Sequence, residues 1–232
     1  MNKNFHRIVF NASRGLRMVV QETARSAGKV TSGTTGAVVS ATAFAAVLMS
    51  APLHAQIVAD PGAPGTQRPT VLVAPNGVPL VNIQTPSASG VSRNAYRQFD
   101  IGGNGAILNN SRAAVQTRLG GYVQGNPWLA TGSARVIVNE VNSANPSHLR
   151  GFLEVAGPRS EVIIANPAGI QVDGGGFINV NRATLTTGVP QYGASGGLES
   201  YVVRGGTIAV SGSGLDAGSA DSLSILSRAF AL

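Results

Sequence analysis

Short apolar runs, separated by turn-forming residues, follow one another along the chain beyond residue 69. Each run is about four to eight residues long, is rich in Val, Ile, Thr and Phe, and is bounded by Gly, Asn, Pro or Asp. This pattern predicts β-strands at residues 70–73, 78–83, 134–141, 151–155, 160–165, 169–172, 177–180, 183–187, 201–203 and 207–210. No segment after residue 56 combines a helical period with capping residues, so the sequence predicts an all-β fold.

The spacing of these runs favours one kind of all-β fold. Between residues 151 and 188 they recur about every seven to ten residues, with Gly or Asn at the corners. A hairpin meander favours longer strands joined by two-residue turns. In a solenoid, short strands are sufficient, because each coil buries its inward Val, Ile and Leu against the previous coil. Aromatic residues make up only 5% of the chain, which suits a narrow aliphatic interior. We therefore predict a solenoid, with a β-sandwich as the weaker alternative.

The first 55 residues have a different pattern, in which charge is separated from apolar residues. Residues 1–29 carry six basic residues and one acidic residue, whereas residues 30–53 carry no formal charge and contain an apolar run at 41–49. These are the parts of a secretory signal peptide, with cleavage predicted between Ala55 and Gln56. A transmembrane anchor is the alternative, because 24 uncharged residues can span a bilayer. The strongly apolar part is shorter than a membrane span, which favours the signal peptide.

Charge outside the signal argues against a nucleic-acid partner. The whole chain has a net charge of +7, of which residues 1–29 supply +5 (six bases minus one acid). The rest contains 11 Arg, no Lys and nine acidic residues, a net of +2. The remaining arginines are dispersed and form no basic stripe. Cysteine is absent, so no disulfide stabilises the fold.

Three sequence patterns resemble catalytic or binding sites, but each lacks a necessary partner. Residues 193–197 match the nucleophile pattern G-x-S-x-G, yet no histidine follows Ser195 as a hydrolase of that class requires. Residues 102–105 lack the third glycine of a dinucleotide loop, and Asp173 precedes a glycine run that occurs once and is not a calcium repeat. With no Cys and only His148 beyond the signal, no zinc site is predicted. We expect no catalytic, metal or cofactor site, and no enzyme.

Two longer stretches carry a resemblance to a known family. They are APNGVPLVNIQTPSASGVSRNAYRQFDI at residues 74–101 and ANPAGIQVDGGGFINVNRATLTTGVP at residues 165–190. Both resemble the two-partner secretion domain, the N-terminal haemagglutination-activity domain of filamentous haemagglutinin and contact-dependent inhibition proteins. Residues 1–29 resemble the extended signal peptide region of large Gram-negative secreted proteins. The resemblance implies a right-handed parallel β-helix with short extra β elements, preceded by a cleavable signal peptide.

That family carries two turn motifs, Asn-Pro-Asn-Leu and Asn-Pro-Asn-Gly-Ile, and this chain has a variant of each. The matching residues that the resemblance marks for transporter recognition or as scaffold turns are Asn126, Pro127, Leu129, Asn166, Pro167, Gly169 and Ile170. The second Asn is replaced by Trp128 in one motif and by Ala168 in the other. Asn-Pro starts a turn well, because Asn accepts local backbone hydrogen bonds and Pro fixes the next φ angle. Direct recognition by a partner and a purely structural role both remain open at this point.

The resemblance also implies a route of export. The Sec machinery and signal peptidase deliver the chain to the periplasm, where a dedicated outer-membrane β-barrel transporter recognises it. The domain then nucleates β-helix folding at the cell surface, so the product is secreted or surface-bound and needs no cofactor. The alternative function is a stand-alone adhesin or carbohydrate-binding β-helix module.

Three parts of the chain are expected from these observations. They are an extended signal peptide at residues 1–55, a Pro/Gly-rich N-terminal segment at 56–69, and a two-partner secretion domain at 70–232. Family members are far longer, so the domain is expected to be truncated at its C-terminus. The missing region is expected to be an adhesin or toxin that contacts a host or neighbouring cell surface.

Overall fold

The computed structural model describes residues 6–11, 16–21 and 57–232. The first two segments form one antiparallel hairpin, β1 (His6–Asn11) and β2 (Leu16–Gln21). The apolar run of the signal and the cleavage site predicted at Ala55 and Gln56 lie outside the described residues. No helix in the described segments is long and apolar enough to cross a bilayer.

Residues 57–73 precede the first coil of a solenoid. They contain two strands and a short 3-10 helix, β3 (Ile57–Ala59), the helix Gly65–Gln67 and β4 (Thr70–Val73). This segment is packed against the fold, since Ala63 is buried and the Asp60 amide donates a 2.9 Å hydrogen bond to the Ala95 carbonyl.

Five coils follow, each built from short strands separated by corners. Coil 1 comprises β5 (Pro79–Asn82), β6 (Val91–Phe99) and the single bridge residue Ile101. Coil 2 comprises β7 (Ala106–Asn109), the inserted strands β8 (Val115–Thr117) and β9 (Gly121–Val123), a 3-10 helix (Pro127–Leu129), β10 (Val136–Val141) and β11 (Ser147–Leu149). Coil 3 comprises β12 (Phe152–Ala156), β13 (Ser160–Ala165) and β14 (Ile170–Val172). Coil 4 comprises β15 (Gly175–Ile178), β16 (Val180–Thr186), the inserted strands β17 (Val189–Tyr192) and β18 (Leu198–Val202), and β19 (Thr207–Val210). Coil 5 comprises β20 (Leu215–Asp216), β21 (Ser222–Leu226) and β22 (Ala229–Ala231).

Three sheets run along the stack of coils. Their strand orders are β20-β15-β12-β7-β5-β4 in sheet 1, β21-β16-β13-β10-β6-β3 in sheet 2 and β11-β14-β19-β22 in sheet 3. Successive coils pair in parallel, as in the ladder of β10 with β13, where Val136 lies opposite Glu161. Only β3 on β6 and β4 on β5 add to these described sheets in the antiparallel direction. The parallel β-helix predicted from the sequence is confirmed.

The interior of the coils is filled by aliphatic side chains stacked in register. On the inner face of sheet 2, for example, Ile137 lies beside Val162, which lies beside Ala183, and all three are fully buried. Burying one Val, Leu or Ile stabilises the fold by about 1.5–3 kcal/mol. Each new coil therefore gains its stability from the apolar surface that the previous coil offers.

Two inserted hairpins cover the outer faces of the sheets. Hairpin 1 (β8 and β9) packs Leu119 and Val123 against sheet 1, and hairpin 2 (β17 and β18) packs Tyr192, Leu198 and Tyr201 against sheet 2. Sheets 1 and 2 are consequently buried on both faces in these regions, which explains their long continuous apolar runs.

A carboxylate fastens the tip of hairpin 1. Glu154, which is 4% exposed on β12 of coil 3, accepts hydrogen bonds from the backbone amides of Arg118 and Leu119 at 2.7 and 2.8 Å. A buried carboxylate is costly unless it is hydrogen-bonded, and these two amides satisfy both of its oxygens. Hairpin 1 of coil 2 is thereby tied to coil 3.

Candidate functional site

The first Asn-Pro motif forms a turn that joins coils 1 and 2. Asn126 is 3% exposed, and its side-chain oxygen accepts a 3.0 Å hydrogen bond from the Trp128 amide. Its side-chain nitrogen donates to the Ile83 and Asn109 carbonyls at 2.8 and 2.9 Å. Leu129 closes the turn through its amide and buries its side chain in the core of the coils. The Asn126 side chain therefore holds its own turn and two other backbone segments at once.

The second Asn-Pro motif repeats this arrangement one coil later. Asn166 is fully buried, and its side-chain oxygen accepts a 2.9 Å hydrogen bond from the Ala168 amide. Its side-chain nitrogen donates to the Asn145 carbonyl and the Ser147 hydroxyl, both at 3.0 Å. The Asn166 backbone amide donates to the Thr186 carbonyl in coil 4 at 2.9 Å. This one residue thus connects coils 2, 3 and 4.

Gly169 completes the second turn. Its amide donates to the Asn166 carbonyl at 3.0 Å, and its own carbonyl accepts from the Ser147 amide at 3.0 Å. The φ angle of Gly169 is 120°, and a Cβ placed there would lie 3.0 Å from the Thr207 carbonyl oxygen. Glycine is required for both reasons. The following Ile170 is fully buried in the core.

The motif residues divide sharply by exposure. Asn126, Leu129, Asn166, Gly169 and Ile170 are buried, and their side chains or backbones face other coils. Of the remaining residues, Ala168 is half-buried and three lie at the surface. These exposed positions are Pro127, Trp128 and Pro167.

Trp128 shows why the family's second Asn is dispensable in this turn. The turn uses the backbone of residue 128, whose amide donates to Asn126 and whose carbonyl accepts a 2.7 Å hydrogen bond from the Thr85 hydroxyl. The indole is 44% exposed and points out of the turn, where its N–H donates to the Thr70 hydroxyl at 3.2 Å. A large side chain is tolerated because none of the turn's hydrogen bonds requires the side chain at this position.

The sequence predicted the two turns but not the hydrogen bonds that their asparagine side chains donate. The expected role was a local acceptor, and this hydrogen bond is present in both turns. The two donated hydrogen bonds of each side chain reach residues 17 to 43 positions away in the sequence. These partner groups have no sequence signature, so no local pattern identifies them.

The patterns that resemble catalytic sites occupy structural positions. Ser195 lies at the exposed tip of hairpin 2, and its hydroxyl accepts a 2.9 Å hydrogen bond from the Ser89 hydroxyl. Asp173 accepts a 3.0 Å hydrogen bond from the Ser213 amide and so supports a corner of coil 5. No group of three or more His, Asp or Glu side chains suited to a metal ion occurs among the described residues.

Two tyrosines of hairpin 2 have perturbed acidity. Burial, and after it the charge of Glu161, raises the pKa of Tyr201 to about 12. Burial raises the pKa of Tyr192 as well, aided by the Glu140 carboxylate, which accepts a hydrogen bond from the Tyr192 hydroxyl. In both cases the folded state favours the neutral phenol.

We expect the stability of the domain to fall in alkali because of these tyrosines. Their folded pKa values lie above the unfolded value of about 10, so their contribution is complete below pH 10 and decreases as the pH rises above it, through about 12 for Tyr201. Denaturant midpoints measured between pH 8 and 11.5 test this. The control is the Tyr192→Phe, Tyr201→Phe double variant, whose midpoint should fall less steeply. Identical slopes for both proteins would contradict the assignment.

Comparison with known proteins assigns the class of this chain. Residues 55–232 match the family described as the TPS secretion domain, and residues 1–51 match the Extended Signal Peptide of Type V secretion system. The chain belongs to the family of TPS, or two-partner, secretion domains. A secretion domain behind an extended signal peptide identifies an exported protein, destined for the cell surface or the medium.

Individual relatives agree with this class. The chain is 50% identical to "Toxin CdiA" of Yersinia pestis over 98% of its own length and 7% of the relative's. It is 46% identical to "tRNA nuclease CdiA-2" of Burkholderia pseudomallei (strain 1026b) over 99% of its own length and 8% of the relative's. The chain thus spans less than a tenth of these curated relatives. The crystal structure of the filamentous hemagglutinin secretion domain matches with a TM-score of 0.67 and 35% identity, covering 75% of this chain and 56% of that one.

Proposed function

We propose that this chain directs the export of a large exoprotein and is recognised in the periplasm by a dedicated outer-membrane β-barrel transporter. The observation that carries the proposal is the match to a TPS secretion domain over residues 55–232, directly after an extended signal peptide. The signal peptide would engage the Sec machinery. Co-expression with the cognate transporter, followed by separate assays of medium and periplasm, tests the proposal. The exported chain should reach the medium only when the transporter is present, and equal release without it would refute the proposal.

The two Asn-Pro motifs serve this function as scaffold turns. Their asparagine side chains are buried and fully engaged within the fold, so they have no free groups to offer a partner after folding. A direct contact would instead involve the exposed residues Pro127, Trp128 and Pro167. The division between buried and exposed residues makes the two roles separable by mutation.

Folding outside the cell would help to draw the chain outward. Coil 3 illustrates the gain, since Val162, Ile164 and Ile170 are all fully buried. Each such side chain contributes roughly 1.5–3 kcal/mol when it leaves water. A coil that stacks on the cell surface cannot easily return through the pore, so progress is biased outward without ATP at that membrane.

The mature chain is proposed to begin at Gln56, after removal of residues 1–55. The Pro/Gly-rich segment 56–69 and the secretion domain 70–232 would remain. We expect N-terminal sequencing of exported material to start at Gln56 or at its pyroglutamate, because Ala55 supplies the small residue that signal peptidase requires. Intact residues 30–53 in a membrane fraction would instead identify an anchor.

The toxin and nuclease names of the relatives are proposed to refer to regions that this chain does not share. The chain corresponds to 7–8% of those proteins. Its one G-x-S-x-G pattern has Ser89 as the hydrogen-bond partner of the Ser195 hydroxyl, which offers no general base. We therefore infer a carrier domain that is not an enzyme, for an adhesin or toxin that acts at a host or neighbouring cell surface.

A further inference from the structure

Hairpin 2 makes contacts that skip coils. In a solenoid each coil normally touches only its neighbours. Hairpin 2 is inserted in coil 4, yet its Tyr192 hydroxyl donates to the carboxylate of Glu140 in coil 2, which lies 52 residues earlier. The guanidinium of Arg93 in coil 1 lies 3.7 Å from the centroid of the Tyr192 ring and also forms a 3.2 Å ion pair with Glu140. One tyrosine side chain therefore joins coil 4 to coils 1 and 2.

The tip of hairpin 2 reaches back even further. The Ser87 hydroxyl donates to the Gly196 carbonyl at 3.0 Å across 109 residues, and the Ser89 hydroxyl donates to the Ser195 hydroxyl at 2.9 Å across 106 residues. The contact is close, because a Cβ at Gly196 would lie 2.7 Å from the Cβ of Ser87. The tip thus fits the loop that leads into β6 of coil 1.

The underside of hairpin 2 covers an apolar strip built by three coils. Val91 comes from coil 1, Val138 from coil 2, and Ile163 and Ala165 from coil 3, and all four are buried. They lie on the outer face of sheet 2, where solvent would meet them if the hairpin were absent. Tyr192, Leu198 and Tyr201 pack against this cluster and close it.

In the sequence, the residues of the apolar strip come before hairpin 2, which covers it. The strip is complete at residue 165, whereas the hairpin begins at residue 189. We propose that hairpin 2 is a closing latch, which docks across coils 1 to 3 after they have stacked and binds coil 4 to them as one cooperative unit. This proposal concerns folding alone and does not depend on recognition by a transporter.

Folding kinetics of the mature chain test the latch. If hairpin 2 docks after the rate-limiting step, Tyr192→Ala should leave the refolding rate within about twofold and raise the unfolding rate by about tenfold or more. The matched control is Tyr122→Ala on hairpin 1, where the side chain is 66% exposed and both rates should stay within about twofold. Slower refolding of Tyr192→Ala with unchanged unfolding would place hairpin 2 in the folding nucleus and overturn the proposal, as would two unchanged rates.

A second experiment keeps the proposal testable if Tyr192→Ala fails to fold. The chain has no cysteine, so the Ser89→Cys, Ser195→Cys double variant carries a single thiol pair at the latch tip. During refolding, with an oxidant added at successive times, strand amides should gain protection from hydrogen exchange before the two thiols can join in a disulfide. Oxidation to the disulfide should then slow unfolding by at least about tenfold relative to the reduced variant. Disulfide formation that precedes amide protection, or a disulfide without effect on unfolding, would overturn the proposal.

Discussion

Replacement of Asn166 by alanine should abolish most secretion and lower the stability of the folded domain. The substitution removes three side-chain hydrogen bonds, one to the buried Ser147 hydroxyl and two part-buried ones to the Ala168 amide and the Asn145 carbonyl. The loss of three such hydrogen bonds costs about 3 kcal/mol together. For a domain of this size, that corresponds to a decrease in Tm of about 6–12 °C. Thermal unfolding of the purified mature chain measures the loss, and transporter-dependent release measures secretion.

The neighbouring residue supplies a matched control for Asn166. Pro167 belongs to the same turn but is exposed, so Pro167→Ala should keep Tm within about 2 °C and preserve the asparagine contacts. If the turn acts as a scaffold, only Asn166→Ala reduces secretion. Loss of secretion in Pro167→Ala, or in Asn166→Ala with unchanged Tm, would favour direct recognition. Normal secretion of Asn166→Ala would remove the motif from the mechanism, and Ser195→Ala should be neutral in both assays.

Gly151→Ala should be the most damaging glycine substitution at the corner between sheets 3 and 1. A Cβ at Gly151 would lie 2.0 Å from the Gly102 carbonyl oxygen and 3.0 Å from the Gly105 amide nitrogen. Both atoms belong to the backbone of the preceding corner and cannot rotate away as a side chain does. Adjacent coils must therefore separate, at a cost of about 3 kcal/mol. We expect Tm to decrease by about 6–12 °C in a thermal melt.

Gly103 provides the control at the equivalent corner of the preceding coil. A Cβ there would meet no atom within 4 Å, so Gly103→Ala should change stability by less than about 0.5 kcal/mol. Equal losses for Gly151→Ala and Gly103→Ala would show that backbone flexibility, and not the distance between coils, determines the effect.

The apolar strands of the solenoid were predictable from the sequence, because strands that are buried in the fold consist of apolar residues. The predicted strands at residues 70–73, 160–165 and 207–210 have the observed bounds. The longest strand, β6, was not predicted, because Ser92, Arg93 and Asn94 are poor strand residues. Their polar groups find partners outside the strand as well as within it. Buried Ser92 donates to the Gln84 carbonyl at 2.6 Å, and Asn94 donates to the Val138 carbonyl of the next coil at 3.3 Å.

The candidate site, like the strands, was only partly predictable from the sequence. Asn-Pro identifies a turn locally, so the positions of both motifs followed from the sequence. Whether the asparagines face a partner or the protein interior depends on groups 17 to 43 residues away, which no local pattern specifies. Glu154 illustrates the same limit. No local pattern indicates that two backbone amides, 35 and 36 residues earlier in the chain, donate hydrogen bonds to its carboxylate.

The antiparallel strands β3 and β4 give the stack of coils a polarity. They occupy the edges of sheets 2 and 1 beside coil 1, where a parallel ladder would otherwise accept another coil. A second molecule therefore cannot add a coil in register at this face. Head-to-tail association into an open filament requires a complementary surface at both ends of each subunit, and these two short strands remove one of them. We therefore expect these two strands to disfavour head-to-tail stacking of the domain into a filament.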